Sequence, residues 1–441
     1  MNNQRFLPNV QIGLLFLLFI SLLLAACEFS PRDPHEVIYW TADVGDISIK
    51  AENAVVAAFN KANPDVHVKL VPLPGGSDTT TLLTAVRGGT GPDVYYIDRF
   101  TVNQQTAIGL LQDLKPFIDK EGVDLAKNYL PFAWGETLYR SHPYALPLHT
   151  DARGLYYNKD VFRAAGIDPA IMDPLHGPIT VDQLRDISFK INKLNSRGTF
   201  DRIGFVPWRD EASPTTWGMD FGAKFFNPKT CQVTPTEPAM VRALQFQYDW
   251  AAKLTREKVD TFFATYQPEN APPTQNPFYN GNLAMVLSGN WMIASLQEYA
   301  PKVDYGITYI PVEKAGDRPT TWSGGFALVM PTGAHNPTGA YRFMRFMTGE
   351  EGQRIYDKAT NQLPTWASLL NELDLFPGKM QFFKQILPFS KSRVPLPVGS
   401  QLWDQFSDAQ DKVVLHAATP EQALQTVYRR VQPELQQYCP L

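Results

Sequence analysis

At 441 residues the chain is long enough for two or more hydrophobic cores. Its 44% hydrophobic and 19% charged content excludes an intrinsically disordered protein. A formal net charge of −4 supplies no basic field for nucleic acid or for an acidic membrane surface. Aromatic residues are plentiful, and 9 Trp are enough to fill cores and still line a site.

The N-terminus comes first. Arg5 precedes a nearly unbroken apolar run over residues 12–24, and Ala25-Ala26-Cys27 follows it. The run is short for a membrane span and suits the apolar core of a signal peptide. Leu24-Ala25-Ala26-Cys27 resembles the lipobox of bacterial lipoproteins. That resemblance implies loss of residues 1–26 and a diacylglycerol anchor on Cys27, a membrane partner held through two acyl chains. A plain secretory signal with an incidental Cys is the alternative. Residues 27–36 are polar and Pro-bearing and read as a tether. Outside the cytoplasm Cys231 and Cys439 are free to pair, and the sequence leaves that open. Neither has a neighbouring Cys or His at metal-ligand spacing, so no metal and no cofactor is expected.

Residues 37–41 (Val-Ile-Tyr-Trp-Thr) predict a buried strand. Residues 49–62 have helical spacing and stop at Asn63-Pro64. Residues 66–73 and 93–97 read as further strands, with a short helix over 79–87 between them. This alternation implies a parallel or mixed sheet with helices on its faces, and ligands of such sheets sit beyond the strands' carboxyl ends. Asp43 and the pair Asp98-Arg99 fall there.

Residues 142–160 hold two short apolar runs around the polar hexapeptide His149-Thr150-Asp151-Ala152-Arg153-Gly154. Pro147 argues against an uninterrupted central strand. The hexapeptide reads either as a surface turn or as a crossover between lobes, where clefts open and small ligands bind. Beyond it the alternation restarts. Helices are expected over 159–165, 181–194, 238–258, 340–347 and 350–359, with Thr180 opening a capping box. Strands are expected over 203–208, 305–310 and 326–330, and residues 381–437 read as largely helical, broken by Pro388, Pro395 and Pro397. No repeat of 20–50 residues is present.

Six segments carry a wider resemblance. They are Phe59-Asn60-Lys61-Ala62-Asn63-Pro64, Gly91-Pro92-Asp93-Val94, Leu155-Tyr156-Tyr157-Asn158-Lys159-Asp160, Gly281-Asn282-Leu283-Ala284-Met285, Gly289-Asn290-Trp291, and Gly306-Ile307-Thr308-Tyr309-Ile310-Pro311 followed by Gly324-Gly325. In this order they resemble the extracellular solute-binding proteins of ABC importers, in the maltodextrin-binding branch. The resemblance implies a type II periplasmic-binding fold, with two α/β lobes, mixed sheets flanked by helices, and a three-segment hinge. The first crossing would be residues 149–154, the second 322–326 and the third near 361–366. The lobes would then comprise 37–149 with 325–362, and 150–324 with 363–441. It also implies an ABC permease as partner, a monomer, and a carbohydrate as solute.

Sugar recognition needs aromatic faces for C–H patches and planar polar groups for hydroxyls. On the resemblance, Asp98, Arg99 and the hinge carboxylate Asp151 would bind hydroxyls, and Trp291 and Trp403 would stack. Asp43, Asn290, Trp322 and Gly324 are expected at the cleft, with one of Trp208 and Trp217 facing it. Trp40, Trp134, Trp250 and Trp366 are assigned to packing. Residues 210–216 and 268–277 depart from the maltodextrin-type pattern, so maltose itself is not implied. Asp43, Asp98 and Asp151 leave a secreted glycoside hydrolase as a second class, but no Gly-x-Ser-x-Gly, His-Glu-x-x-His or P-loop occurs. A glycerol phosphate or polyamine binder is the third, although a phosphate ester calls for more basic groups than Arg99 and Arg153.

Overall fold

The computed structural model describes residues 32–43, 45–73 and 79–441, so the expected signal peptide, Cys27 and the start of the tether lie outside the described residues. The chain begins β1 (Glu36–Thr41), α1 (Asp46–Ala62), β2 (His67–Pro72), α2 (Thr79–Arg87) and β3 (Val94–Asp98). β4 (Ala145–Thr150) ends at Asp151-Ala152, and β5 (Arg153–Asn158) leads into α3 (Lys159–Ala164) and α4 (Val181–Ile191). Next come α5 (Pro214–Asp220), α6 (Pro238–Leu254), α7 (Arg256–Tyr266), β6 (Met285–Gly289), α8 (Met292–Tyr299) and β7 (Tyr305–Thr308). β8 (Thr321–Ser323), β9 (Gly325–Val329), α9 (Pro337–Met347), α10 (Glu350–Thr360) and β10 (Leu363–Pro364) follow. The chain closes with β11 (Ser390–Ser392), α11 (Gly399–Val414) and α12 (Pro420–Gln436).

The first lobe is built on a six-stranded mixed sheet in the order β10-β4-β9-β3-β1-β2. β1 runs parallel to β2 and β3, whereas β9 lies antiparallel between β3 and β4. Both faces are covered, which is why its strands read as continuous apolar runs. Val94 and Tyr96 pack with Val55 and Phe59 of α1 and Phe343 of α9, while Tyr95 and Ile97 pack on the opposite side with Leu82 and Val102. Phe59 meets Phe343 edge-on, with ring centroids 5.3 Å apart. Burying such a ring stabilises by roughly 1.5–3 kcal/mol.

The second lobe centres on a three-stranded antiparallel sheet, β6-β5-β7, with Leu155, Tyr156 and Leu287 in its core. The α11 and α12 helices pack on α6 through Phe406, Val413, Leu424, Val427, Met240 and Leu244. Cys231 and Cys439 are disulfide-bonded, tying the end of the chain to this lobe. Thus the α/β, two-lobed architecture is present, with a mixed sheet in the first lobe and an antiparallel one in the second. Residues 363 and 364 pair with β4 and so lie on the first sheet, not with the second lobe. The chain reaches the second lobe's core by Leu369.

Three expected elements differ. Residues 203–208 are not a strand. Ile203 alone bridges Leu283; main-chain bonds run from Ile203 and Gly204 to residues 282, 284 and 285, and other backbone groups of this stretch go to side chains. Asn192 accepts from the Gly204 N–H, and the Pro207 carbonyl accepts from Trp217 and Gln247. The helix expected over 238–258 breaks after Leu254, where Thr255 has φ +55°, and α7 starts anew. α4 ends at Ile191 instead of 194, because Lys193 and Leu194 pair with residues 200–202. The Thr180–Gln183 capping box is formed. Trp250 is buried, and Trp40, Trp134 and Trp366 are partly buried in the cores.

Glu52 of α1 sits under β1, accepting hydrogen bonds from Tyr39 (3.0 Å) and Thr41 (2.8 Å). Burial pushes its carboxyl up to about 8, and Oε2 has no partner. The folded state therefore binds a proton that the unfolded chain releases above the ordinary Glu range, so this group's contribution falls as pH rises towards 8. Glu52→Gln is expected to leave stability near pH 5 little changed and to raise it at pH 8.5 by on the order of 1–3 kcal/mol, read from urea unfolding at both pH values. Cys231→Ser with Cys439→Ser should lower unfolding stability by ~2–4 kcal/mol, because the bridge closes a long loop, and leave ligand affinity unchanged.

Candidate functional site at the lobe crossings

Two adjacent passages of chain between the lobes enclose a cavity of ≈ 570 Å³. This falls within the usual range for small-molecule sites, about 300–1,000 Å³. In the first passage β4 becomes β5 through Asp151-Ala152; in the second β8 becomes β9 through Gly324. Gly325 has φ +119°, and a Cβ there would lie 2.3 Å from the His149 carbonyl oxygen. Only glycine lets the two passages come this close.

The passages are held by polar groups. Arg99 is fully buried and spends its guanidinium on them: Nε donates to Glu136 (2.6 Å), Nη1 to the His149 carbonyl (3.0 Å), and Nη2 to the Gly324 carbonyl. Asn290 is likewise buried. Its Oδ1 accepts from the Ala152 N–H (3.0 Å) and its Nδ2 donates to the Asn361 carbonyl (2.8 Å). Both residues were expected to touch a ligand, and neither lines the cavity. Each instead satisfies main-chain groups that would otherwise be buried unpaired.

Asp43, Asp98, Asp151, Trp291 and Gly324 do line it, as expected. Asp43 lies just beyond β1 and accepts from the Gly45 N–H (3.2 Å). Asp98, at the end of β3, caps the following turn through Phe100 and is gripped by both terminal nitrogens of Arg393. Asp151 accepts from the Gly324 N–H (2.6 Å) and from Arg153. Arg153 also donates to Glu211 (3.1 Å). Trp291 is half-buried, and its ring lies over Gly289, where a Cβ would sit 1.9 Å from the indole. Its orientation is therefore set by the absence of a side chain at 289.

The other tryptophans are placed elsewhere. Trp217 is fully buried and donates to the Pro207 carbonyl (2.9 Å), and Trp208 is also core, so neither faces the cavity. Residue Glu211 of the same loop faces it instead. Trp322 donates to Thr216 (2.8 Å) and lies beneath Arg153, whose guanidinium carbon is 3.4 Å from the ring centroid. Trp403, with Phe100 and Trp322, surrounds Arg393 at 4.4–5.5 Å. These rings steer the two cavity arginines by cation–π contact.

His149, Arg153, Glu211, Gln362 and Arg393 are among the lining residues that the sequence did not single out for ligand contact. Burial holds His149 down to about 3, so it is neutral, with Nε2 bonded to Tyr96 (3.0 Å). Arg393 carried no local signal, since it lies between Pro388 and Pro395 and reaches the cavity only when α11 and the β8–β11 pair are assembled. Among the described residues no group of three His, Cys, Asp or Glu is placed to hold a metal, and no helix is long and apolar enough to cross a membrane.

Comparison with known proteins places this geometry in context. The family described as bacterial extracellular solute-binding protein matches residues 46–354. The sn-glycerol-3-phosphate-binding periplasmic protein UgpB of Pectobacterium atrosepticum is 25% identical over 419 residues, covering 90% of each chain. The maltotriose-binding protein of Pyrococcus abyssi is 22% identical over 384 residues, covering 84% of this chain and 76% of that one. In structure, mannotriose-bound CpMnBP1 matches with a TM-score of 0.78 at 22% identity, over 90% of this chain and 100% of that one. The GacH receptor of Streptomyces glaucescens matches at 0.71 and 22% identity, over 90% and 98%.

Arg99→Leu leaves Glu136 buried without its counter-charge, so it is expected to cost ~3–5 kcal/mol in a denaturant titration. Arg99→Leu combined with Glu136→Leu should recover part of that loss. A single variant as stable as the parent would show that the guanidinium is not the clamp.

Proposed function

The chain belongs to the bacterial extracellular solute-binding proteins, and from that premise we propose that it captures a neutral carbohydrate between its lobes and delivers it to the permease of an ABC importer. One observation carries the choice of solute. The cavity presents Asp43, Asp46, Asp98, Asp151 and Glu211 against two guanidinium groups, Arg153 and Arg393. Both arginines are already paired with these carboxylates. No unneutralised cation remains to attract a phosphate, and an excess of carboxylates opposes one. What remains is planar polar groups and one indole, which suit hydroxyls and the C–H face of a sugar.

In this reading Asp43, Asp98, Asp151, Arg153, Glu211, Arg393 and Gln362 bind hydroxyls, Trp291 stacks, and the Gly324 backbone lies close to the ligand. Arg99, Asn290, Trp208, Trp217, Trp322 and Trp403 support these groups. No turnover is expected: Arg393 holds both carboxylate oxygens of Asp98, and Arg153 pairs with one oxygen each of Asp151 and Glu211, so these carboxylates are committed to ion pairs. The lobes, residues 37–149 with 325–366 and 150–324 with 367–441, would close on the solute through contacts made only in the closed state. The mature protein would act as a monomer outside the cytoplasm, anchored by lipid on Cys27. The relatives named for sn-glycerol-3-phosphate binding supply the rival reading.

A thermal-shift series separates the two. Mannose- and glucose-based sugars should raise the melting temperature, and sn-glycerol 3-phosphate and spermidine should not. Stabilisation by either of the latter alone would overturn the carbohydrate reading. Trp291→Ala should weaken sugar binding by ~2 kcal/mol and remove ligand-induced quenching of Trp fluorescence, with the fold intact by circular dichroism.

A further inference from the structure

Beneath the cleft, the first lobe carries a buried polar cluster that does not line the cavity. Its centre is Glu52, one helical turn beyond Ser48 on α1; Ser48 lines the cavity and Glu52 does not. Glu52 is fully buried. Tyr39 and Thr41 both donate to its Oε1, and Oε2 has no partner among the described residues. Those bonds occupy both lone pairs of Oε1, so the carboxyl proton belongs on Oε2.

Two routes lead from this cluster to Asp43, a carboxylate of the cleft. The Thr41 hydroxyl donates to Glu52 and accepts from the Asp43 N–H (3.2 Å), so one oxygen joins both residues. Tyr356, also fully buried, donates to Asp43 Oδ2 (3.4 Å) and stacks on His149, with ring centroids 5.3 Å apart. His149 lines the cleft and is bonded to Tyr96.

The titratable groups facing Glu52 are Tyr39 of β1, Tyr96 of β3, Tyr356 of α10 and Asp43, and none of them is a cation. The cations of the two helices packed on α1 are paired elsewhere: Arg342 and Arg345 of α9 with Asp65 and Glu121, Arg354 and Lys358 of α10 with Glu372 and Asp374. His67 and Lys69 of β2, and Asp46 and Lys50 of α1 itself, are exposed. Loss of the Glu52 proton therefore places an uncompensated charge under Asp43. A solute closing over Asp43 strips it of water, and two like charges repel more strongly where water is excluded. Binding thus favours the protonated form of Glu52, and by linkage loss of the proton weakens binding.

We propose that Glu52 is a positioning residue for Asp43, so that solute binding draws a proton into the first lobe and weakens once that proton is gone. This rests on the reading above that Asp43 meets the solute, and it holds for any solute that does.

Titration calorimetry at pH 7 and pH 9 with mannotriose, maltotriose and sn-glycerol 3-phosphate tests it. The parent should bind whichever of these it accepts at least threefold more weakly at pH 9. At pH 8 the heat of binding should vary with the ionisation enthalpy of the buffer in the sense of proton uptake. Glu52→Gln should bind within twofold of the parent at pH 7 and lose both effects. A parent affinity that ignores pH, or a pH effect that Glu52→Gln retains, overturns the proposal and leaves the carbohydrate reading standing. A second measurement needs no solute and no change at Glu52. The fall in unfolding stability with rising pH should level off at a lower pH in Asp43→Asn than in the parent, and identical curves would show the two carboxyls uncoupled and the proposal wrong. If only sn-glycerol 3-phosphate binds, the carbohydrate reading fails and the pH profile of that ligand still decides the role of Glu52. If none of the three binds, both fail.

Discussion

The structure depends on a single buried guanidinium. Arg99 leaves the end of β3 and bonds Glu136, the carbonyl of His149 and the carbonyl of Gly324. Those carbonyls belong to the two neighbouring passages between the lobes. A buried ion pair rarely adds net stability over an apolar substitute, because both charges must be stripped of water. Its value lies in direction. A planar fork with donors on several edges can hold two backbone strands at one spacing, and Lys could not. Gly325 makes the same spacing possible by presenting no Cβ to the His149 carbonyl.

With the crossings fixed, the cleft's charges follow. Asp151 accepts from the Gly324 N–H and from Arg153, so the hinge backbone and the cavity surface share one carboxylate. Arg153 and Arg393 are in turn steered by Trp322, Phe100 and Trp403. The aromatic residues thus act mainly behind the polar ones, with Trp291 alone among the tryptophans lining the cavity. A shallow change of packing at these rings would reach a ligand through the arginines they support.

The site was partly legible. Asp43 and Asp98 were found because strand ends in such sheets face the ligand space, a rule that needs only the strand pattern. Asp151 was found because a polar hexapeptide separates two apolar runs. Arg99 was misassigned since adjacency to Asp98 says nothing about direction: one residue further along the turn, the side chain points into the protein. Trp208 and Trp217 were misjudged for a related reason. Pro207 and the buried Gln247 draw their loop inward, and Glu211 takes the position facing the cavity.

By itself the sequence determined the alternation of strands and helices, the Thr180 cap, the crossing at residues 149–154 and the family resemblance. Each is a local pattern of apolar period, turn residues or short motifs, and local patterns survive in one dimension. Only the tertiary structure decided which charges meet. Arg393 is 295 residues from Asp98, and Arg99 is 225 from Gly324. No spacing rule reaches that far, because hydrogen bonds at such separations are set by the packing of two sheets and the helices around them.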